Sequence, residues 1–274
     1  MTQKYSTIIL TYLFLLMVST AILIPVYFMI ITSLKTNEEI FSIPIRWLPV
    51  RAYWRNYIVI FQKYPFVRYF LNSVFVSSVT ALANLIFSSM AGYGLAKFKF
   101  RGRHLIFSFV IVTLLLPRQG IVIPLYLIMR SINLVDNLWA VILPFAATSF
   151  GVFLMRQYLI SIPGSLLESP RIDGAGEFRI YWQIVLPLIV PAFAALGIFS
   201  FTFNWNNFLW PLIILESEQN FTMPLGIAMM QGAYETAYNE LLAAAMFSTF
   251  PILIVYFILQ KRFINSMVMS GIKE

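Results

Sequence analysis

A long uncharged apolar segment begins near the N-terminus of the chain and runs from Ile8 to Thr32. A helix of about 20 apolar residues crosses the roughly 30 Å hydrocarbon core of a bilayer, and a signal peptide has a shorter apolar region. We therefore interpret this segment as a retained transmembrane helix. Five further apolar segments follow, so the sequence predicts an all-α integral membrane protein with six transmembrane helices in a single domain, 1–274. The predicted spans are 8–32, 69–95, 105–130, 137–155, 187–215 and 239–260.

The overall composition supports lipid as the solvent. Hydrophobic residues make up 60% of the chain and charged residues 11%, whereas soluble domains carry about 25% charged residues. The chain has no cysteine, which excludes disulfides, thiolate metal sites and cysteine nucleophiles. Its formal net charge is +8, but the basic residues are scattered over loops. This pattern favours contact with anionic lipid headgroups over nucleic acid.

The basic residues also predict an orientation. Six spans place both termini on one side of the membrane, and Lys and Arg concentrate in cytoplasmic loops. With the termini inside, the inner loops hold eleven of the 19 basic residues, and half of loop 97–104 is basic without an acidic residue. We therefore expect both termini to be cytoplasmic.

The loop between predicted spans 4 and 5, residues 156–186, is unusually long and mixed in charge. Its apolar residues recur with a spacing typical of two short amphipathic helices, separated by the turn Asp173–Gly176. Glycine at 174 tolerates the positive φ of a tight reversal. The loop therefore predicts either a helix–turn–helix that docks onto a partner or an amphipathic segment lying on the membrane.

The same loop resembles the cytoplasmic signature of ABC-importer permeases, the Glu-Ala-Ala loop. Glu168, Gly174 and Ile184–Pro187 stand at its Glu, Gly and Ile-x-Leu-Pro positions, and Arg171–Ala175 is similar to the carbohydrate-uptake, maltose-type branch. Ser169 and Pro170 replace the two alanines. We therefore expect the first coupling helix to be kinked or to begin at Pro170 with Ser169 as its cap.

The resemblance extends over nearly the whole chain. Further matching segments are Ser33–Lys35, Asn72–Ser73, Ala91–Ala96, Phe100–Arg103, Pro124–Tyr126, Trp205–Asn207, Pro211–Leu212, Pro251 and Gly271–Lys273.

The resemblance implies an ATP-driven importer of a sugar or a related polyol or glycoside in a prokaryotic plasma membrane. The implied partners are a second permease subunit in a heterodimer, two nucleotide-binding ATPase subunits and an extracytoplasmic solute-binding protein. ATP and Mg would be bound by the ATPase subunits, and this chain would carry no cofactor and catalyse no reaction. Its lack of a Gly-x-x-x-x-Gly-Lys-Ser/Thr phosphate loop agrees with that. The residues implied to couple to the ATPase are Glu168, Arg171, Asp173, Gly174 and Ala175.

Predicted span 5 contains candidate substrate-path residues. Asn204, Asn207 and Phe208 share one face of a continuous helix, and Trp205 borders it. A straight helix from Pro187 would place Trp205 about 27 Å into the membrane. Amides and aromatic rings suit sugars, but in a span they also serve helix packing.

Arg118 is the fourth candidate for the path. It is a charge within predicted span 3, which is interrupted at Pro117–Gly120. Intramembrane charges face the bundle interior or water, but an arginine near the interface also snorkels to the headgroups.

Two other classes of protein remain as alternatives. A secondary transporter would have more spans and buried carboxylates for coupling ions. A membrane assembly protein would not need the Arg171–Ala175 motif. Stimulation of ATP hydrolysis by a sugar-binding protein distinguishes the importer from both.

Overall fold

The computed structural model describes residues 2–232 and 236–271, and within these ranges it contains helices and loops but no strand. Residues 1, 233–235 and 272–274, which include the last two residues of the matching segment Gly271–Lys273, lie outside the described residues. The helices are α1 Thr2–Ser33, α2 Asn37–Ile40, α3 Arg55–Lys63, α4 Phe66–Lys97, α5 Arg103–Leu115, α6 Val122–Ser131, α7 Leu138–Ile142, α8 Ser149–Ile160, α9 Ser165–Ile172, α10 Glu177–Ile180, α11 Leu186–Leu188, α12 Val190–Trp205, α13 Leu209–Ile214, α14 Met223–Met229 and α15 Tyr238–Gly271.

Four helical segments are long and apolar enough to cross a bilayer, and the described chain has up to six spans if each of two bent helix pairs counts as one. The four are Ile8–Ser33, Phe66–Lys97, Leu138–Ile160 and Tyr238–Ile258. The prediction of an all-helical membrane protein is confirmed, and the count of six depends on the two bent pairs.

The first bent pair joins α5 to residues Arg118–Ser131 at an angle of 104°. The break coincides with the predicted interruption at Pro117. The residue before a proline is driven out of the helical region, and Leu116 is extended, with φ −74° and ψ 129°. The helix therefore stops at Leu115 and restarts after the proline.

The second bent pair corrects the prediction of a continuous span over 187–215. Residues Glu177–Leu188 and α12 meet at 80°, with Pro191 in the first turn of α12. Proline cannot donate a helical hydrogen bond but fits the first turn of a new helix. The helix ends again at Trp205, and α13 is a separate segment.

The chain divides into two compact units, of which the first comprises residues 1–67 and 226–250. Its buried Asn56 donates from Nδ2 to the carbonyls of Ser33 and Lys35, both at 2.8 Å, and accepts from Asn239. The last carbonyl groups of a helix have no hydrogen-bond partner within the helix and need one from elsewhere. Asn56 thus fixes the chain where α1 ends.

The second unit comprises residues 68–225 and 251–274. Its apolar clusters include one around Met155, Leu159 and Ile180 and another around Val76 and Ile214. Helix α4 contributes Tyr93 to the first cluster and Val76 to the second. It therefore runs the length of this unit and connects its two ends.

Helices α4 and α8 pack at the distance that glycine allows. A Cβ added at Gly92 would lie 2.8 Å from Met155 Cβ, and one added at Gly151 would lie 2.5 Å from Ser88 Oγ. Beside this contact, Asn84 Oδ1 accepts from the N–H of Thr148 at 3.0 Å. Small residues and buried amides are the usual means by which helices associate in membranes.

Candidate functional site

Residues 165–185, which we call the knob, form two short helical segments joined by a tight turn. Helix α9 ends at Ile172, and α10 continues from Glu177 into a π-helical turn over Tyr181–Val185. Between them, Gly174 has φ +80°, a left-handed conformation that favours glycine. The Ala175 N–H donates to Pro170 O at 2.9 Å and closes the turn.

Helix α9 begins at Ser165 and contains Pro170 within it. The expectation that the first helix begins at Pro170 with Ser169 as its cap is therefore wrong. The residues before Pro170 are helical because Leu167 and Glu168 donate to Gly164 O at 2.9 and 3.2 Å, which starts the helix upstream.

The knob has one buried face and one exposed face. Leu167 and Ile180 are buried in the cluster that includes Met155 and Leu159. On the other face Ile172 is 85% exposed and Phe178 71% exposed. Both side chains flank the turn at Gly174, so the tip of the knob presents exposed apolar surface.

A cavity of about 230 Å³ lies between the two helical segments, lined by Pro170, Asp173, Ala175, Arg179, Ile180, Gln183 and Ile184. The lining of this cavity is mostly polar because it includes Asp173, Arg179 and Gln183. Ala175 also contacts the apolar cluster beneath the knob. Asp173 and Ala175, two of the predicted coupling residues, therefore share this cavity.

The other predicted coupling residues differ in their partners. Glu168 is exposed and its carboxylate has no hydrogen bond within the part of the chain that the structure describes. Arg171 instead pairs with Glu177 inside the knob, with Nε to Oε1 at 2.7 Å and a second bond to Oε2 at 3.2 Å. The hydrogen bond to Glu177 raises the pKa of Arg171. Tyr93 on α4 donates to the same carboxylate at 2.8 Å.

The sequence did not predict that Glu177 contacts both Arg171 and Tyr93. Two signals pointed to them: Glu177 has the opposite charge to Arg171 across a tight turn, and Tyr93 lies in the Ala-Gly-Tyr-Gly segment of α4. Neither spacing alone predicts which side chains meet.

Trp205 is packed inside the second unit. Its side chain is 1% exposed, stacks on Phe201 with ring centroids 5.7 Å apart, and meets Phe70 edge-on at 5.9 Å. Asn204 beside it is also buried. Its Nδ2 donates to Ser200 O at 2.7 Å, and its Oδ1 has no partner among the described residues.

The expected helical face shared by Asn204, Asn207 and Phe208 is wrong, because α12 ends at Trp205 and Asn206 caps it. Asn207 therefore lies in the link to α13, half-buried, and its Nδ2 has no partner in the described chain. The bend before Val190 also removes the straight path on which the depth of Trp205 was based.

Arg118 lies at the break in the first bent pair. Its guanidinium sits 3.9 Å from the ring centroid of Phe203 on α12, a cation–π contact. The structure thus brings Arg118 to the same helix as Asn204, although the two are joined by no contact among the described residues.

A mainly apolar helical chain with several candidate spans and a helical knob between them is a polytopic membrane protein. More particularly, the chain belongs to the family of binding-protein-dependent transport system inner membrane components, whose model matches residues 84–268. This is a family of sugar ABC transport permeases of the inner membrane, not of catalytic enzymes. The resemblance inferred from the knob is therefore confirmed.

Individual relatives agree with this assignment. The chain is 36% identical over 264 residues to the arabinooligosaccharides transport system permease protein AraQ of Bacillus subtilis, covering 95% of this chain and 94% of that one. It is 31% identical to the sn-glycerol-3-phosphate transport system permease protein UgpE of Yersinia pestis, covering 91% and 92%. Among solved structures, it matches a bacterial ABC transporter involved in the import of the acidic polysaccharide alginate, with a TM-score of 0.83, 25% identity and coverage of 93% and 95%.

Proposed function

We propose that this chain is one of two membrane-spanning subunits of an ATP-driven importer that carries a sugar or a related polyol or glycoside into the cell. The observation that carries the proposal is the knob: two helical segments whose tip exposes Ile172 and Phe178. In the proposed complex the tip contacts a nucleotide-binding subunit, which binds ATP and Mg. The second permease subunit completes the pathway.

The proposed mechanism requires two states of the helix bundle. ATP binding closes the ATPase dimer, the knob moves with it, and the bundle changes from facing inward to facing outward. Glu168 and Asp173 then contact the ATPase directly, and Gly174 permits the turn that presents them. Ala175, which lines the cavity, forms part of the knob surface that contacts the ATPase.

The family description supports delivery of the substrate by a binding protein, because it names dependence on one. Arabinooligosaccharides and alginate are the sugars named for two similar proteins. We propose that an extracytoplasmic solute-binding protein delivers a sugar of this general kind. Asn204, Trp205, Asn207 and Arg118 remain the proposed path, with Trp205 supporting Asn204 by packing.

The test is reconstitution of this chain with its second permease subunit, ATPase subunits and solute-binding protein in proteoliposomes. We expect uptake of a sugar from a defined panel that requires ATP, together with ATP hydrolysis stimulated by the loaded binding protein. Uptake driven by an ion gradient without ATP would identify a secondary transporter. No uptake with a stable complex would favour an assembly protein.

A further inference from the structure

The carboxylate of Glu177 joins three helices. It accepts two hydrogen bonds from Arg171, the penultimate residue of α9, at 2.7 and 3.2 Å. It accepts a third from the hydroxyl of Tyr93, on the last turns of α4, at 2.8 Å. Glu177 is itself the first residue of α10. We call these three side chains the latch.

The latch fixes geometry more than it stabilises the fold. The Arg171 and Glu177 side chains are 35% and 40% exposed, and an exposed ion pair contributes little stability. A bidentate arginine–carboxylate pair, however, has a defined orientation. It holds α9 and α10 at one angle across the turn at Gly174.

Tyr93 is the part of the latch that reaches the transmembrane bundle. Its ring is buried and meets Phe98 at 5.4 Å and Tyr181 at 5.8 Å. The hydroxyl of Tyr181 in turn bonds Ser89 Oγ at 2.6 Å. Two successive turns of α4, at Ser89 and at Tyr93, are therefore hydrogen-bonded to the knob.

We propose that Glu177 and Tyr93 are positioning residues that transmit movement of the knob to α4. The inference rests on the proposed function, because it concerns the coupling of ATP hydrolysis to transport. It assigns Arg171 an internal role: Arg171 acts through Glu177 and does not serve as a contact for the ATPase.

The experiment measures sugar uptake and ATP hydrolysis in the same proteoliposomes, using the full complex. Glu177→Gln removes the ion pair and Tyr93→Phe removes only the hydroxyl. We expect each to lower the amount of sugar imported per ATP by about three- to tenfold, a range typical of mutations that alter coupling between sites. We expect the complex to assemble normally in both.

The matched control is Glu216→Gln. It removes the same charge from an exposed residue whose side chain has no hydrogen bond or ion pair among the described residues.

A charge exchange tests the pair of Arg171 and Glu177 directly. Arg171→Glu and Glu177→Arg should each uncouple transport, and the double variant should recover part of the uptake per ATP.

Wild-type uptake per ATP in both Glu177→Gln and Tyr93→Phe would overturn the inference. The inference would also be overturned if Glu177→Gln and Tyr93→Phe both prevented assembly of the complex and the charge-exchange double variant did not recover uptake. That result would show that the latch has only a structural role. If the wild-type complex lacks ATP-dependent uptake, the proposed function fails instead. The wild-type measurement therefore separates the two failures.

Discussion

Gly174 joins the two helical segments of the knob in a conformation that most residues avoid. Its φ is +80°, and a Cβ added there would meet nothing within 4 Å in this chain. The requirement for glycine within the subunit therefore comes from the backbone, at a cost of about 1–2 kcal/mol for other residues. Crowding would arise only from a partner that packs on the turn.

Three substitutions of Gly174 separate these causes. Asparagine and aspartate adopt the left-handed conformation more readily than valine, and aspartate in addition places a charge where a partner packs on the turn. We expect Gly174→Asp and Gly174→Val to insert but to lose ATPase binding and uptake, measured by pull-down and transport, and Gly174→Asn to retain part of both. Full transport by Gly174→Asp would contradict the role of the turn.

Asn204 offers a residue-scale test of the substrate path. Its buried Oδ1 lacks a partner among the described residues, and an unpaired buried acceptor is costly. In Asn204→Leu, loss of one hydrogen bond is offset by removal of that acceptor, so we expect stability to change by no more than about 1 kcal/mol. We expect uptake to fall while assembly and basal ATP hydrolysis persist. Unchanged uptake would exclude Asn204 from the path.

Several residue roles were predictable from sequence and others were not. The turn at Gly174 follows from local glycine and aspartate chemistry, which acts within a few residues. The burial of Trp205 against Phe70 and the bond from Tyr93 to Glu177 join residues far apart in the chain. Hydropathy and spacing do not report such pairings.

At the scale of elements, the contact between α4 and α8 depends on the absence of side chains at Gly92 and Gly151. A Cβ at Gly92 would lie 2.8 Å from Met155 Cβ and 2.9 Å from the Arg156 nitrogen, whereas one at Gly94 would meet nothing within 4 Å. Both glycines lie in the same helix. They form a matched pair that differs in crowding.

We expect Gly92→Ala to destabilise the subunit by about 1–3 kcal/mol, because backbone atoms of α8 must move. Gly94→Ala should be neutral or stabilising by up to about 1 kcal/mol, because alanine favours the helix. Thermal unfolding of the purified protein in detergent measures both. Equal effects would contradict the close approach of the two helices.

A second element-scale feature is the junction of two loops at Asp136. Its Oδ1 accepts from the N–H groups of Glu216 and Ser217 at 3.0 and 2.9 Å, and Oδ2 accepts from the Ser217 hydroxyl. Asn220 also donates to it. Burial raises the pKa of Asp136, but these hydrogen bonds outweigh burial and lower it to about 2.

The lowered pKa predicts a loss of stability in acid. The pKa of Asp136 in the folded protein lies below its ordinary value of 3.8. The stabilisation of the fold by ionised Asp136 is therefore complete above pH 3.8 and is lost as the pH falls toward about 2. We expect Asp136→Asn to lower stability at neutral pH by about 1–3 kcal/mol and to lack this acid-dependent loss. Thermal unfolding of both proteins across this range is the measurement. Parallel pH profiles would contradict the assignment.

The helix breaks show how far local sequence determines the elements. Pro117 ends a helix where the sequence predicts, because proline acts on its immediate neighbours. The bend before Val190 and the end of α12 at Trp205 were not predicted. Pro187 and Pro191 mark several positions at which a helix can bend, and tertiary packing determines which one does.

At the scale of the second unit, α4 connects two ends with different charge. Near one end, Lys97 Nζ donates to Ile162 O at 2.5 Å, so the basic loop 97–104 lies beside the start of the knob. Near the other end, Asn72 Nδ2 donates to Gln219 O and Phe221 O at 2.9 and 3.0 Å. That end carries the acidic residues Asp136, Glu216 and Glu218 together with Arg68 and Arg130, so it is less basic than loop 97–104. Asn72 and Lys97 are about 37 Å apart along a regular helix, more than the hydrocarbon thickness of roughly 30 Å.

The length of α4 indicates that its two ends lie on opposite sides of the membrane, and from the positive-inside bias we propose that the basic end is cytoplasmic. Since the chain has no native cysteine, Ser165→Cys in the knob and Ser131→Cys at the end of α6 make a matched pair of exposed, conservative changes. In intact cells we expect an impermeant thiol reagent to label Ser131→Cys at once, and to label Ser165→Cys only after the membrane is permeabilised. Because only charge, and no partner, enters this argument, the result tests the orientation independently of transport. Labelling of Ser165→Cys in intact cells would reverse the orientation and would remove the knob from the reach of any cytoplasmic ATPase.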